Sequence, residues 1–200
     1  RGIPTVAFSS DLVFGGDARR AYHEGDEPAP LNVYGRSKHQ AEQAILSLSG
    51  SHLIVRTAAF FSPHDTHNFA VHVLQSLAAG ERLYAAADHV VSPTFVPQLA
   101  NAVLDLLIDG AAGLWHLTNA DAVSWAEFAE RVASTCGHRE AAIDRVSGAL
   151  PGWVAPRPAY VPLVSNRGKL MMSLDEALDQ FAFQLARARP DLLHALRATE

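Results

Sequence analysis

The sequence is poor in cysteine and has no excess of positive charge. Cys136 is the one cysteine in 200 residues. That excludes an intrachain disulfide and any metal site built from several thiolates. Lys and Arg number 16 against 21 Asp and Glu, for a formal net charge of −5. The basic residues are scattered, so no nucleic-acid or membrane-surface patch is expected. The apolar runs are far too short to cross a bilayer. No signal peptide is read at the start, where Arg1-Gly2-Ile3-Pro4 leads straight into an apolar run. Together these features predict a soluble cytoplasmic protein. At 48% hydrophobic residues, the chain suits one compact domain, or one and a half. It does not begin with Met, and its first element already reads as a buried strand. We therefore expect the later part of a longer polypeptide.

The pattern along the chain is strand, loop, helix, strand. Thr5–Ser10 is a β-branched and aromatic run bounded by Pro4 and Asp11, and it predicts a buried strand. Residues 15–31 carry Gly, Pro and acids without a period, which predicts a surface loop. From Asn32 the spacing turns helical, with Tyr34, Ala41, Ala44, Ile45 and Leu48 on the apolar side and Gly50 as the stop. His52–Phe61 predicts a second buried strand, and residues 68–79 a helix. Extended segments follow at 82–86 and 89–96, and an apolar helix spans 97–109. Gly113–Thr118 predicts a strand. Ser124 with Glu127 makes a capping box at the start of the next helix. Residues 151–168 are Pro-rich and extended, and two short helices end the chain. Strands alternating with helices of ten or more residues predict a parallel sheet covered by helices.

The residues that bear chemistry gather at one predicted strand mouth. Ser9 and Ser10 end the first strand, and Tyr34 opens the next helix. In parallel sheets, ligands sit outside the carboxyl ends of strands. Lys38 lies one helical turn beyond Tyr34, on the same face. A positive charge beside a phenol eases proton loss, which suits a tyrosine that gives or takes a proton next to a carbonyl. Ser10 can hold the same oxygen by a hydrogen bond, and Asp11 shares that strand mouth. A lone Tyr-x-x-x-Lys is common in ordinary helices; the strand-end serines and the β–α order give it weight here.

SSDLVFGG followed by DEPAPLNVYGRSKHQAE resembles the extended short-chain dehydrogenase/reductase superfamily. Within it, the chain is most similar to the dTDP-4-dehydrorhamnose reductase family. The likeness runs on through VRTAAFF, NFAVHVLQSL, DHVVSPTFVPQLA, GLWHLTNADAVSWAEFA and APRPAYVPLVSNRGKL. The resemblance implies the C-terminal half of a Rossmann-like doubly wound parallel sheet with a small interleaved substrate-binding lobe. Residues 1–57 and 97–119 would form the sheet, with 58–96 and 120–200 mainly in the lobe. It implies reduction of a 4-keto group on a nucleotide-linked sugar, with NADP or NAD as cofactor. By motif match, Tyr34 donates the proton, Lys38 holds the nicotinamide ribose and Ser10 polarises the carbonyl. Ser9, Arg56 and Thr57 would also face the cofactor. Asp11, Phe69, Ser92 and Arg157 would face the substrate, with Arg157 as a fork donor to a diphosphate.

Four departures from the family stand out. Leu12 replaces the tyrosine of its S-T-D-Y-V-F run. Arg56-Thr57-Ala58-Ala59 lacks the tryptophan of its R-T-S-W run. Both losses remove aromatic surface from the expected sugar pocket. No G-x-x-G-x-x-G phosphate turn occurs anywhere in the sequence, so this chain alone is expected to bind cofactor weakly. Val91 also stands where the family often has Gly. Other readings stay open: an epimerase or dehydratase of the same superfamily, a dinucleotide-binding regulatory or scaffolding subunit, or an accessory domain of a carbohydrate enzyme. A homodimer and an upstream domain of the same polypeptide are open as well.

The remaining candidates read as structural. His64, His67 and His72 lie near Asp65 without ligand spacing, so no metal is expected. His116 reads as a satisfied core histidine. Glu24, Asp26 and Glu27 read as a solvated loop, Cys136 as a small buried hydrophobe, and Trp125 and Trp153 as packing residues.

Overall fold

Strand β1 (Thr5–Ser10) pairs in parallel with β2 (His52–Thr57), which pairs in parallel with β7 (Gly113–His116). The computed structural model describes residues 3, 5–138, 142–148 and 154–197, and Trp153 lies outside them. Side chains alternate across the sheet, as the pleat requires. Leu53 and Val55 meet helix α3 (Val96–Ile108) through Leu99, Ala102, Val103 and Leu106. Ile54 and Arg56 point to the other face, towards helix α1 (Val33–Leu46). No strand pairs with the outer edge of β1 among the described residues, and Phe8 on that strand is 46% exposed.

A second layer of structure stands beside the sheet. It comprises β3 (Phe60–Phe61), α2 (Phe69–Ala78), β4 (Leu83–Ala86), β5 (Val90–Val91), β6 (Thr94–Phe95), β8 (Val123–Ser124), α4 (Trp125–Thr135), β9 (Ile143–Val146), α5 (Leu174–Ala188) and α6 (Pro190–Arg197). Its core is aromatic. Phe61 meets Phe95, Phe128 and Phe181 at ring centroid distances of 5.3, 5.3 and 5.7 Å. Both Ser124 and Ser173 close capping boxes, with Glu127 and Glu176 respectively, which fixes where α4 and α5 begin. Parallel pairs β3–β6 and β4–β9 and the antiparallel pair β5–β8 link the segments. The α/β class and the parallel central sheet agree with the sequence pattern.

Three sequence expectations are corrected. The run His52–Phe61 is two strands, because Ala59 takes φ 38° and turns Phe60–Phe61 into a different sheet. Strand β9 carries no strong alternation and was not expected. The apolar side read for α1 is also wrong: Ala41 and Ala44 are exposed, while Gly35 and Glu42 are buried. This helix docks through a glycine and a charge pair instead of through hydrophobes.

Gly35 sets how closely α1 approaches the strand mouth. A Cβ at this position would collide with the Leu12 carbonyl and reach 3.0 Å from Pro30 Cβ. Backbone cannot yield as a flexible side chain can. Gly35→Ala is expected to destabilise the protein by about 3 kcal/mol or more, read as a lower urea midpoint; an unchanged midpoint would show that α1 is free to shift.

Candidate active site

The carboxyl ends of β1 and β2 open into a cleft of about 260 Å3. Ser9, Ser10, Asp11 and Leu12 form one wall, and Thr57, Ala58, Ala59 and Phe60 the floor. Tyr34 enters from α1, Trp125 from the start of α4, and Arg157 from the C-terminal segment.

The local sequence explains each placement. Asn32 caps α1 by accepting the Gly35 N–H at 2.8 Å. Its amide also donates to the Pro156 carbonyl at 3.0 Å, which ties the segment bearing Arg157 to the helix that bears Tyr34. Ser10 caps the short 3-10 turn Asp11–Val13, accepting the Leu12 N–H at 3.2 Å. Tyr34 is 50% exposed, with its ring beneath Lys38 Nζ at 5.6 Å. Lys38 Nζ donates to the Phe8 carbonyl at 3.2 Å, leaving two ammonium protons for other acceptors.

Asp11 is the unusual carboxyl group. It is 6% exposed, and Ser10 Oγ donates to its Oδ1 at 2.8 Å. Burial pushes it up to about 6, against the lowering effect of the Ser10 and backbone hydrogen bonds and the Arg157 charge. A carboxyl raised in the fold favours the folded state most when protonated. That contribution is complete below about pH 4 and is lost as pH rises through about 6. Asp11→Asn is therefore expected to be more stable than the parent at pH 8 by roughly 2–3 kcal/mol. The gap should close near pH 4. Urea midpoints at the two pH values check this, and a gap of equal size at both would contradict it.

Several residues expected at the ligand are placed elsewhere. Arg56 does not reach the cleft. It is 2% exposed and forms a two-pronged pair with Glu42 at 2.7 and 2.7 Å, while its guanidinium stacks on Phe14. Burial raises Glu42, but the Arg56 hydrogen bonds and charge, with smaller contributions from Ser9 and His39, together outweigh it and hold the carboxyl below its ordinary value. Ser92 is 1% exposed, and its Oγ accepts the Leu163 N–H, so it anchors the C-terminal segment. Phe69 packs against Trp125 at 4.8 Å and backs the cleft wall without forming it. Glu24 is no solvated acid: it accepts from the His116 N–H, Ser165 Oγ and the Asn166 N–H. Asp26 pairs with Arg20 at the loop surface. Cys136 is half-buried at the end of α4, and burial pushes its thiol up to about 12.

His116 is the core histidine the sequence suggested. Its Nδ1 donates to the Tyr22 and Val164 carbonyls at 3.1 Å each, leaving Nε2 to face Arg56. Burial pushes it down to about 4, so it is neutral at pH 7.

Sequence reasoning missed the cleft roles of Phe60, His89, Pro158 and Val161, and gave Trp125 only a packing role. Phe60 and Trp125 supply aromatic surface where Leu12 and Ala59 do not. Their only signal lay in the chain turn at Ala59 and the cap at Ser124. Among the described residues, no group of three His, Cys, Asp or Glu side chains is arranged to hold a metal, and no helix is long and apolar enough to cross a membrane.

The chain matches the family described as the RmlD substrate binding domain over residues 1–190. A dTDP-4-dehydrorhamnose reductase of Mycobacterium tuberculosis is 37% identical over 175 residues, covering 84% of this chain and 57% of that protein. The spore coat polysaccharide biosynthesis protein SpsK of Bacillus subtilis is 33% identical over 159 residues, covering 80% of this chain and 55% of that protein. The crystal structure of a dTDP-4-dehydrorhamnose reductase from Bacillus anthracis in complex with NADP superposes with a TM-score of 0.83 at 32% identity, covering 90% of this chain and 65% of that one. The chain thus spans about half the length of the curated relatives it matches. With the parallel sheet, the strand-mouth serine and the Tyr34–Lys38 helix, these matches show that the chain belongs to the RmlD substrate binding domain family.

Proposed function

We propose that this chain carries the proton-donating and sugar-holding part of an NAD(P)H-dependent reductase of nucleotide-linked 4-keto sugars, working in the cytoplasm. The observation that carries the reading is the convergence of Ser10, Asp11 and Tyr34 on one cleft, with the Lys38 ammonium over the Tyr34 ring. The named relatives support the substrate class.

The donor set suits the ribose end of a nicotinamide cofactor. Lys38 keeps two ammonium protons beside the Tyr34 ring, and Ser9 lines the cleft next to Ser10. When bound, NAD(P)H supplies the hydride. The protein's own residues do the rest. Ser10 would hold the keto oxygen, and Tyr34 would supply the proton that, with the cofactor's hydride, completes conversion of C=O to CH–OH. The Lys38 charge steadies the phenolate left on Tyr34. Arg157 and Trp125 hold the nucleotide-linked sugar, by charge and by apolar contact.

The test is NADPH and NADH oxidation by the natural polypeptide that contains this sequence, given a panel of nucleotide-linked 4-keto-6-deoxy sugars. Turnover with at least one of them is expected. Tight cofactor binding without turnover of any sugar would favour the regulatory-subunit reading instead.

A further inference from the structure

We propose that Asp11 controls the direction of the hydrogen bond it shares with Ser10, and so decides whether Ser10 can donate to a substrate carbonyl. This inference rests on the reductase reading and goes beyond it by assigning Asp11 a positioning role.

The argument is a proton count. A serine hydroxyl has one proton and two lone pairs. Ser10 Oγ has two neighbours in place: the Leu12 N–H at 3.2 Å, which can only donate, and Asp11 Oδ1 at 2.8 Å. Ser10 and Asp11 are 8% and 6% exposed, so bulk water does not supply substitutes freely. If Asp11 is ionised it can only accept. The single Ser10 proton then points at Asp11, and a lone pair faces the cleft. A keto oxygen placed there would meet a lone pair. If Asp11 carries a proton, it donates to Ser10. Both Ser10 lone pairs are then filled, by Leu12 and by Asp11, and its proton is turned to the cleft. Only this second arrangement lets Ser10 polarise a carbonyl.

The surroundings set which arrangement holds. Arg157, from the C-terminal segment, favours the carboxylate. Tyr34 from α1 and His89 from the loop between β4 and β5 share the cleft, and Lys38 stands over the Tyr34 ring. Burial opposes Arg157 and is the larger effect. A sugar filling the cleft expels more water and favours the protonated form further.

The test is the pH profile of kcat/KM for the natural polypeptide in four forms: parent, Asp11→Asn, Ser10→Ala and the double variant. The amide of Asp11→Asn does not ionise, so its NH2 group can donate to Ser10 at every pH and the direction of the bond no longer depends on pH. The parent is expected to lose up to tenfold in kcat/KM per pH unit as Asp11 ionises, and Asp11→Asn is expected to lack that limb. In the Ser10→Ala background, Asp11→Asn should not alter the shape of the pH profile. An Asp11→Asn variant that keeps the parent's limb, or that loses activity equally at every pH, overturns the proposal. A carboxyl-carbon NMR titration of Asp11 needs no turnover and separates the two claims. Its midpoint should match the rate limb and rise in Ser10→Ala, which removes a donor to the carboxylate. An unmoved midpoint overturns the Asp11–Ser10 pair, whereas an enzyme that turns over no keto sugar at any pH overturns the reductase reading.

Discussion

Replacing Tyr34 with Phe is expected to lower turnover by about 10²-fold or more while leaving cofactor affinity nearly unchanged. The substitution removes one oxygen and its proton. It keeps the ring beneath Lys38 and leaves the Asn32 cap and Gly35 contact intact, since neither involves the tyrosine side chain. Among the described residues, none is hydrogen-bonded to the Tyr34 hydroxyl, and its half-exposed ring makes little of the core. The loss should therefore fall on kcat more than on KM. Steady-state kinetics with calorimetric cofactor binding separates the two effects. Unchanged turnover would remove Tyr34 as the acid, and a matching loss of cofactor affinity would make its role one of binding.

The second large effect is expected at Arg56, which never touches the cleft. Arg56→Met leaves the Glu42 carboxylate buried without its partner, and a loss of roughly 3–5 kcal/mol is expected. Removing both charges with Arg56→Met/Glu42→Leu should restore much of that, because a well-packed apolar pair replaces a buried ion pair at little cost. Tyr34, Lys38 and Glu42 follow one another at steps of four on α1. The pair from β2 therefore grips the same helix face that presents the acid. Urea unfolding of the two variants beside the parent tests this. A single variant as stable as the parent would show that the pair does not seat the helix.

The sequence made the sheet and the site legible for different reasons. Thr5–Ser10 and Gly113–His116 are short β-branched or aromatic runs between turn residues, so their strands could be read directly. The capping box at Ser124 and Glu127 announced α4 in the same way. That Ser10 and Tyr34 line one cleft could be read because strand ends and helix starts are where parallel sheets present side chains. Arg56 was misplaced for a physical reason. Spacing can locate a guanidinium on a strand, yet it does not tell which face carries its counter-charge. The deciding residue, Glu42, sat in a helix whose apolar spacing suggested a different buried face. Ser92 and Phe69 failed similarly: each lies near the cleft in sequence, but each supports a neighbour, Leu163 or Trp125, that lies far along the chain. Such long-range pairings leave no local period to read.

The most direct measurement is isotope transfer. The natural polypeptide is given NADPH carrying deuterium at the transferable position of the nicotinamide and a nucleotide-linked 4-keto-6-deoxy sugar, and the product is read by NMR. The account predicts deuterium on sugar C4, one per cofactor oxidised, with the rate falling about 10²-fold or more in Tyr34→Phe. A sugar product formed with no deuterium at C4, or transfer that proceeds equally well in Tyr34→Phe, would contradict it.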